Sequence, residues 1–154
     1  MMPFRADRLV TTKAAKAAYQ LATTAADESQ HEMIRKLELS EAMHDELLKR
    51  CSQSGIEFFS SAFDLESLDY LMSLGMQRIK VPSGEITNLP YLRRVGGFGK
   101  EVILSTGMST MNEIDDALTV LEKSGTVRDK ITVLHCNTEY PVPMVEVNLR
   151  AMQT

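Results

Sequence analysis

The sequence predicts an α/β protein built from about four parallel β/α units, which amounts to a partial (β/α)8 TIM barrel. From Ile56 onward, short apolar runs alternate with amphipathic segments, the pattern typical of parallel α/β folds. The runs begin near positions 56, 78, 101 and 131, which leaves room for one helix and two short loops between neighbours. A complete barrel needs about 250 residues, whereas this chain has 154. A small doubly wound sheet fits the same spacing.

The strand candidates are short runs rich in β-branched or aromatic residues, as expected for strands buried in a parallel sheet. They cover residues 56–59, 78–81, 101–104 and 131–134.

Two helices are predicted from capping residues and apolar spacing before and after the first run. Ser40 can cap a segment that carries apolar residues on one side and ends at Gly55. Asp64 can cap a second such segment, which ends at Gly75.

Two more helices are predicted between the later runs. Residues 88–95 form a shorter helix that the glycine pair 96–97 is expected to stop. Thr110 and Glu113 form a capping box before an apolar stripe, and Gly125 stands where a left-handed C-terminal cap is needed.

The predicted domain covers residues 1–154, with 1–39 as a lead-in and 40–154 as the β/α units. Residues 5–36 are Ala- and Thr-rich or polar, so a surface loop with partial helix is expected there. His31 and His44 lie in polar, helical segments and are predicted to be surface residues. Another helix begins near residue 147 and reaches residue 154 with no terminating signal.

Charge and composition exclude several classes of protein. The chain has 17 Lys and Arg against 21 Asp and Glu, a net charge of −4, which disfavours binding to nucleic acid or anionic membranes. No apolar run approaches the ~18 residues of a membrane span, so a cytoplasmic location is expected. Cys51 and Cys136 lie far apart without zinc-site spacing, so reduced thiols are expected.

Polar residues follow every strand candidate, at the edge where α/β folds place their sites. Small hydroxyl residues and glycines expose backbone N–H groups there, and Lys80 stands inside the second run. Neutral donors with one cation suit a phosphate or carboxylate ligand. The alternative is that these are ordinary turn residues and that Lys80 extends to solvent. The four ends are residues 60–61, 83–85, 105–107 and 135–140.

Three motifs resemble the sialic acid synthase family: residues 80–88 (KVPSGEITN), 104–108 (LSTGM) and 135–141 (HCNTEYP). The resemblance implies a metal-dependent (β/α)8 barrel, of which this chain would cover about strands 3 to 6. It also implies a phosphoenolpyruvate-dependent transferase that forms C–C bonds. Such an enzyme condenses phosphoenolpyruvate with an N-acetylated hexosamine, such as N-acetylmannosamine, to give a nonulosonic acid and phosphate.

The resemblance implies a role for individual residues. Lys80, Ser83 and Ser105 match positions that hold phosphoenolpyruvate, and Ser61 matches a hydroxyl position usually filled by threonine. Glu85 matches the acidic residue at the sugar end, where a carboxylate could bind hydroxyls or move a proton. Its alternative role is that of a carboxylate at the entry to the next helix.

The last motif contributes further candidates. Tyr140 matches a tyrosine near the acceptor sugar, and either Asn137 or Thr138 matches a residue that contacts phosphate. His135 is interpreted as a packed residue at a strand end, because the resemblance places the ligands of Mn²⁺ or Mg²⁺ on strands beyond this chain. No residue of the chain is therefore predicted to bind the metal.

The resemblance also implies features outside the chain. The family's first strands, its metal histidines and its C-terminal antifreeze-like domain are not expected within these residues, so the chain alone is expected to be inactive. A homodimer is the expected assembly. The alternative is a non-catalytic half-barrel that only binds phosphate ligands or assembles with partners.

Overall fold

The structure, a computed structural model, describes residues 5–21, 24–25 and 27–154. The chain divides into two compact units, Met1–Leu71 and Met72–Thr154. The helices that begin in the first unit are α1 (Ala6–Leu9), α2 (Ala18–Leu21), α3 (Gln30–Arg35), α4 (Glu41–Gln53) and α5 (Leu65–Ser73). The second unit contains β1 (Arg78–Val81), α6 (Leu89–Gly97), β2 (Glu101–Ser105), α7 (Met111–Ser124) and β3 (Ile131–Leu134). Short 3-10 helices cover Ser83–Glu85, Arg128–Lys130, Met144–Glu146 and Leu149–Gln153.

The predicted helix starts are confirmed by their hydrogen bonds. The Ser40 hydroxyl accepts from the Met43 amide at the start of α4, and an Asp64 carboxylate oxygen accepts from the Ser67 amide at the start of α5. Both partners of the Thr110–Glu113 capping box are in place. These side chains satisfy amide groups that the first turn of a helix leaves without partners.

The predicted strand at residues 56–59 is wrong. Those residues carry no regular secondary structure, and the three-stranded sheet of the described chain has the order β1-β2-β3. Alternating apolar residues express a preference for extended backbone, but a strand forms only where a neighbour completes its hydrogen bonds. The α/β class with parallel strands is confirmed by the three that pair.

Polar contacts tie together the segment that the sequence predicts to be a loop. The His31 Nε2 lies 2.7 Å from Asp7 Oδ1, and the Ala6 amide donates to Glu38 Oε1. The Asp7 pKa is lowered, chiefly by its hydrogen bond to His31. Partial helix is confirmed in this lead-in, which has α1 to α3.

The prediction that both histidines lie on the surface is wrong. His31 and His44 are buried. His44 Nδ1 faces the Ser40 carbonyl oxygen at 3.0 Å, and its ring meets the edges of Phe58 and Tyr70. Each histidine is buried by residues that are distant in sequence, which a local polar pattern does not report.

The sheet has two chemically different faces. In the strand register, Ile79 pairs with Val102, and Val81 with Leu104; all four are at most 1% exposed, and we call them the buried face. Parallel strands joined by right-handed crossovers receive their helices on one face. The alternate residues Lys80, Ile103 and Thr132 are in register across the three strands, and we call them the lysine face. They are partly or fully exposed.

Gly96 lies where α6 and α7 come closest. A Cβ atom at Gly96 would lie 2.6 Å from the Ser124 Cβ and 2.7 Å from the Leu121 carbonyl oxygen. The Thr126 hydroxyl donates to the Gly96 carbonyl at 3.2 Å. The helix predicted over residues 88–95 extends through Gly96 and ends at the second glycine of the pair, Gly97. Gly96 serves close helix packing rather than termination.

None of the helices in the described part of the chain is long and apolar enough to cross a membrane. The C-terminal residues form a 3-10 helix, Leu149–Gln153, where the sequence predicts the start of a helix.

Candidate functional site

Lys80 is a strand lysine that has no counter-ion among the described residues. It lies in the middle of β1 on the lysine face and is partly buried. No carboxylate among the described residues pairs with its ammonium group. Burial lowers the pKa of Lys80, and the electrostatic interaction with nearby Cys136 raises it by less. A partly desolvated cation without an anionic partner is costly for the fold, and a bound anion would offset that cost.

The exits of the three strands meet at Gly107. A Cβ atom at Gly107 would lie 2.9 Å from the Thr138 methyl carbon, 3.1 Å from the Ser83 hydroxyl oxygen and 3.4 Å from the Ser83 Cβ. Ser83 follows β1, Gly107 follows β2 and Thr138 follows β3. Carboxyl ends of parallel strands share one edge of the sheet, so these residues form one cluster, which we call the strand-exit cluster.

Thr106 fastens the exit of β2 to that of β3. Its backbone N–H and its hydroxyl both donate to the Leu134 carbonyl, at 3.2 and 2.8 Å. The Thr106 side chain is buried. The position of Gly107 against Thr138 is therefore held by two hydrogen bonds as well as by packing.

Three hydroxyl groups in this region have no hydrogen-bond partner among the described residues. They belong to Ser83, Ser105 and Thr138. Ser105 ends β2 and is in register with Leu134 of β3. Hydroxyl groups with unused donors, on the same sheet as an unpaired lysine, are suited to binding phosphate or carboxylate oxygens.

Glu85 lies in the 3-10 turn after β1 and is partly exposed. Its Oε2 accepts a hydrogen bond of 2.6 Å from the Asn88 side-chain amide, whose oxygen in turn accepts from the Tyr91 amide and caps α6. One Glu85 oxygen is thus engaged at the start of a helix, in accord with the alternative interpretation. The other carboxylate oxygen has no hydrogen bond to the described residues.

The remaining predicted site residues are placed differently. Asn137 donates its side-chain amide to the Glu146 carbonyl at 3.4 Å, whereas the Thr138 methyl group packs near Gly107 and Ser83. Tyr140 is 74% exposed. Ser61 is buried and belongs to the first unit.

The described residues do not form a metal centre. No three His, Cys, Asp or Glu side chains among them come together in a way that could hold a metal ion. His135 is half-buried and lines a cleft beside α7, with its Nε2 buried and lacking a hydrogen-bond partner in the described structure. The described residues therefore do not fit the metal that the resemblance implies.

Sequence reasoning missed the contribution of Gly107 and Thr106 to the strand-exit cluster. The glycine in the Ser-Thr-Gly-Met motif is a signal, since a glycine after a strand often marks a close backbone approach. What it approaches depends on the register of three strands, and a single segment does not contain that information. The Thr106 bond to Leu134 depends on the same register.

Comparisons with known proteins identify the family. The sequence model of the NeuB family matches residues 2–154. The chain is 54% identical to the N,N'-diacetyllegionaminic acid synthase of Campylobacter jejuni, covering 98% of this chain and 45% of that protein. It is 42% identical to the synthase of the same name from Legionella pneumophila, with 98% and 43% covered. The chain thus spans under half the length of these curated relatives.

A solved structure resembles the fold. The structure of N-acetylneuraminic acid synthetase from Leptospira borgpetersenii in complex with citrate superposes with a TM-score of 0.74. The sequences are 28% identical, and the match covers 80% of this chain and 42% of that one.

Proposed function

The chain belongs to the NeuB family, and we propose that it forms the phosphoenolpyruvate side of a nonulosonic acid synthase built on a partial barrel within a (β/α)8 domain. The proposed reaction condenses phosphoenolpyruvate with an N-acetylated hexosamine, such as N-acetylmannosamine. Its products are a nonulosonic acid and phosphate. The observation that supports it most strongly is Lys80, a partly buried cation without a carboxylate partner in the described structure.

Lys80 and the hydroxyl groups at the strand exits supply the chemistry that this donor needs. Phosphoenolpyruvate carries a phosphate and a carboxylate, so one cation and several neutral donors can bind it without an excess of charge. Ser83 and Ser105 are proposed to donate to its oxygens. Thr138 is proposed to act beside Ser83, in preference to Asn137, whose amide already donates to Glu146.

The bond changes are those of an aldol-type condensation. The methylene carbon of phosphoenolpyruvate bonds to the aldehyde carbon of the open-chain sugar, and the aldehyde oxygen becomes a hydroxyl group. Water adds at the carbon that bears the phosphate, phosphate leaves as the keto group forms, and the added water supplies the proton of the new hydroxyl group. Glu85 is proposed to bind hydroxyl groups or move a proton at the sugar end. The carboxylate oxygen that does not bond to Asn88 is available for this role. Tyr140 is exposed. Tyr140 and Ser61 are both proposed to contact the bound substrates.

No step is assigned to a metal in this chain. The described residues hold no cluster that could bind one, so Mn²⁺ or Mg²⁺ would be bound by residues elsewhere in the protein. For that reason we propose that these 154 residues alone are inactive. The active form is proposed to be a cytoplasmic homodimer of the longer protein.

A more specific product is favoured by the relatives. Both bacterial proteins described above are named N,N'-diacetyllegionaminic acid synthases, and one shares 54% of its residues with this chain over the matched length. Three of the nine carbons of a nonulosonic acid come from phosphoenolpyruvate, which brings no nitrogen. A product with two acetamido groups therefore requires a six-carbon acceptor that already carries both.

The test is an activity assay on the longer protein. It measures phosphate release, with mass spectrometry of the product, for N-acetylmannosamine and for a diacetamido-hexose acceptor. We expect acceptor-dependent phosphate release with the wild type and with Lys100→Met. We expect a loss of about 10- to 100-fold in kcat/KM with Lys80→Met, from a lost hydrogen bond to a charged group. Lys100 is a matched control because it bonds the Gln77 side chain on the exposed surface.

Two outcomes would contradict the proposal. Phosphate release without any acceptor would indicate a phosphatase. Binding of phosphoenolpyruvate with no product from either acceptor, under conditions in which the longer protein is folded, would instead favour the non-catalytic half-barrel.

A further inference from the structure

Met108 has a backbone conformation that is rare for residues other than glycine. Its φ is 61°, and it is the one non-glycine residue with positive φ in the described parts of the chain. Its side chain is 83% exposed, so packing within the described structure does not offset the conformational cost. It directly follows Gly107 of the strand-exit cluster.

Met108 stands at a turn position that glycine usually occupies. The Ser109 amide donates to the Thr106 carbonyl at 3.1 Å, which closes a turn over residues 106–109 with Met108 third. A positive φ at the third position of such a turn is usually taken by glycine. Here the glycine stands one residue earlier, at 107, where a Cβ atom would collide with the Thr138 methyl group.

A left-handed methionine thus stands beside a site that is otherwise polar. Residues held in sparsely populated conformations concentrate at ligand sites, where the side chain or its direction is needed. Methionine is apolar, polarisable and flexible, and it adapts to apolar groups of varied shape. It cannot donate to phosphate or carboxylate oxygens, a task for which Lys80, Ser83 and Ser105 are available.

We propose that the Met108 side chain contacts the N-acyl group of the acceptor sugar and so determines which acyl groups the enzyme accepts. This inference rests on the proposed function, because it assumes an acylamino sugar as the second substrate. An acyl methyl group is the most apolar part of such an acceptor. Its contact with Met108 would remove both apolar groups from water.

The test compares acceptors that differ by one methylene in the acyl chain. The longer protein is assayed with N-acetyl- and N-propanoylmannosamine for the wild type, Met108→Gly and Met108→Leu. Glycine takes the φ of 61° without strain, so Met108→Gly is expected to fold. We expect it to shift the ratio of kcat/KM for the two acceptors at least ~5-fold towards the propanoyl compound, since one methylene in an apolar pocket changes selectivity about 10- to 200-fold. Met108→Leu should retain most of the wild-type preference.

The matched control is Met144→Gly. Met144 is 84% exposed and lies in the 3-10 helix Met144–Glu146. The same change there should leave the acceptor ratio as in the wild type. The KM for phosphoenolpyruvate should stay unchanged in all three variants, because Met108 is assigned to the acceptor alone.

The outcomes separate this inference from the function on which it rests. An active wild type with the same acceptor ratio in Met108→Gly would overturn the role of Met108 and leave the synthase function standing. A wild type that condenses neither of these acceptors, nor the diacetamido-hexose of the earlier assay, would overturn the synthase function, and the role of Met108 with it.

Discussion

The two faces of the sheet differ in what each does with alternate residues of the same strands. Ile79 and Val81 are almost completely buried, whereas Lys80 between them lies on the opposite face with no carboxylate partner in the described structure. Along β1, therefore, every second residue stabilises the fold, and the residue between them is available to a ligand. Single substitutions within this one strand should therefore change either the stability of the fold or the binding of a ligand.

Two glycines show the same separation between fold stability and ligand binding. Gly96 lies between α6 and α7, where a Cβ atom would meet backbone, and Gly107 lies in the strand-exit cluster, where it would meet the ends of side chains. Substitutions at these glycines should change different properties of the protein.

The largest effect on stability is expected from Gly96→Ala. The added Cβ would lie 2.7 Å from the Leu121 carbonyl oxygen, so the two helices must separate. We expect the free energy of unfolding to fall by about 1–3 kcal/mol, as for other overpacked cores. Gly97→Ala is the control, since nothing lies within 4 Å of its Cβ position, and it should raise stability by about 0.4–1 kcal/mol. Denaturation in urea measures both, and equal stabilities would refute the helix contact.

A smaller effect, confined to binding, is expected from Gly107→Ala. The new Cβ would meet the Thr138 methyl group at 2.9 Å and the Ser83 hydroxyl at 3.1 Å, and flexible side-chain ends can move aside. We expect affinity for phosphoenolpyruvate to fall about 5-fold, or roughly 1 kcal/mol, with little change in melting temperature. Calorimetric titration checks this against Gly84→Ala, whose Cβ position is open. Unchanged affinity would mean that the cluster does not contact the donor.

The smallest effect is a pH dependence from Lys80. Burial lowers its pKa in the folded protein below the ordinary lysine value. Between these two pKa values the unfolded chain binds more protons, so this contribution to stability rises with pH. The difference in unfolding free energy between Lys80→Met and the wild type, measured in urea, should therefore favour the variant near pH 7 and shrink at alkaline pH. A difference that grows with pH would contradict the assignment.

Local features of the fold could be predicted from the sequence. The capping residues Ser40 and Thr110 act on amides within three residues of themselves, so a short window contains the whole interaction. The strands at 78–81 and 131–134 were likewise predicted from short apolar runs, and both pair with β2.

The features that escaped prediction depend on partners far along the chain. His31 is buried and contacts Asp7, 24 residues away, and residues 56–59 pair with no strand of the described structure. For the site, residue types predicted Lys80 and Ser83. The crowding at Gly107 arises only when the three strand exits meet.

The central claim, that Lys80 binds an anion with a charge that the fold itself does not need, is tested most directly by calorimetric titration. Phosphoenolpyruvate is titrated into the wild type, Lys80→Met and Lys100→Met of the longer protein, each shown to be folded by circular dichroism. The account predicts equal affinity for the wild type and Lys100→Met, and an affinity about 10- to 100-fold weaker for Lys80→Met. Equal affinity in all three proteins, or no binding by the folded wild type, would contradict it.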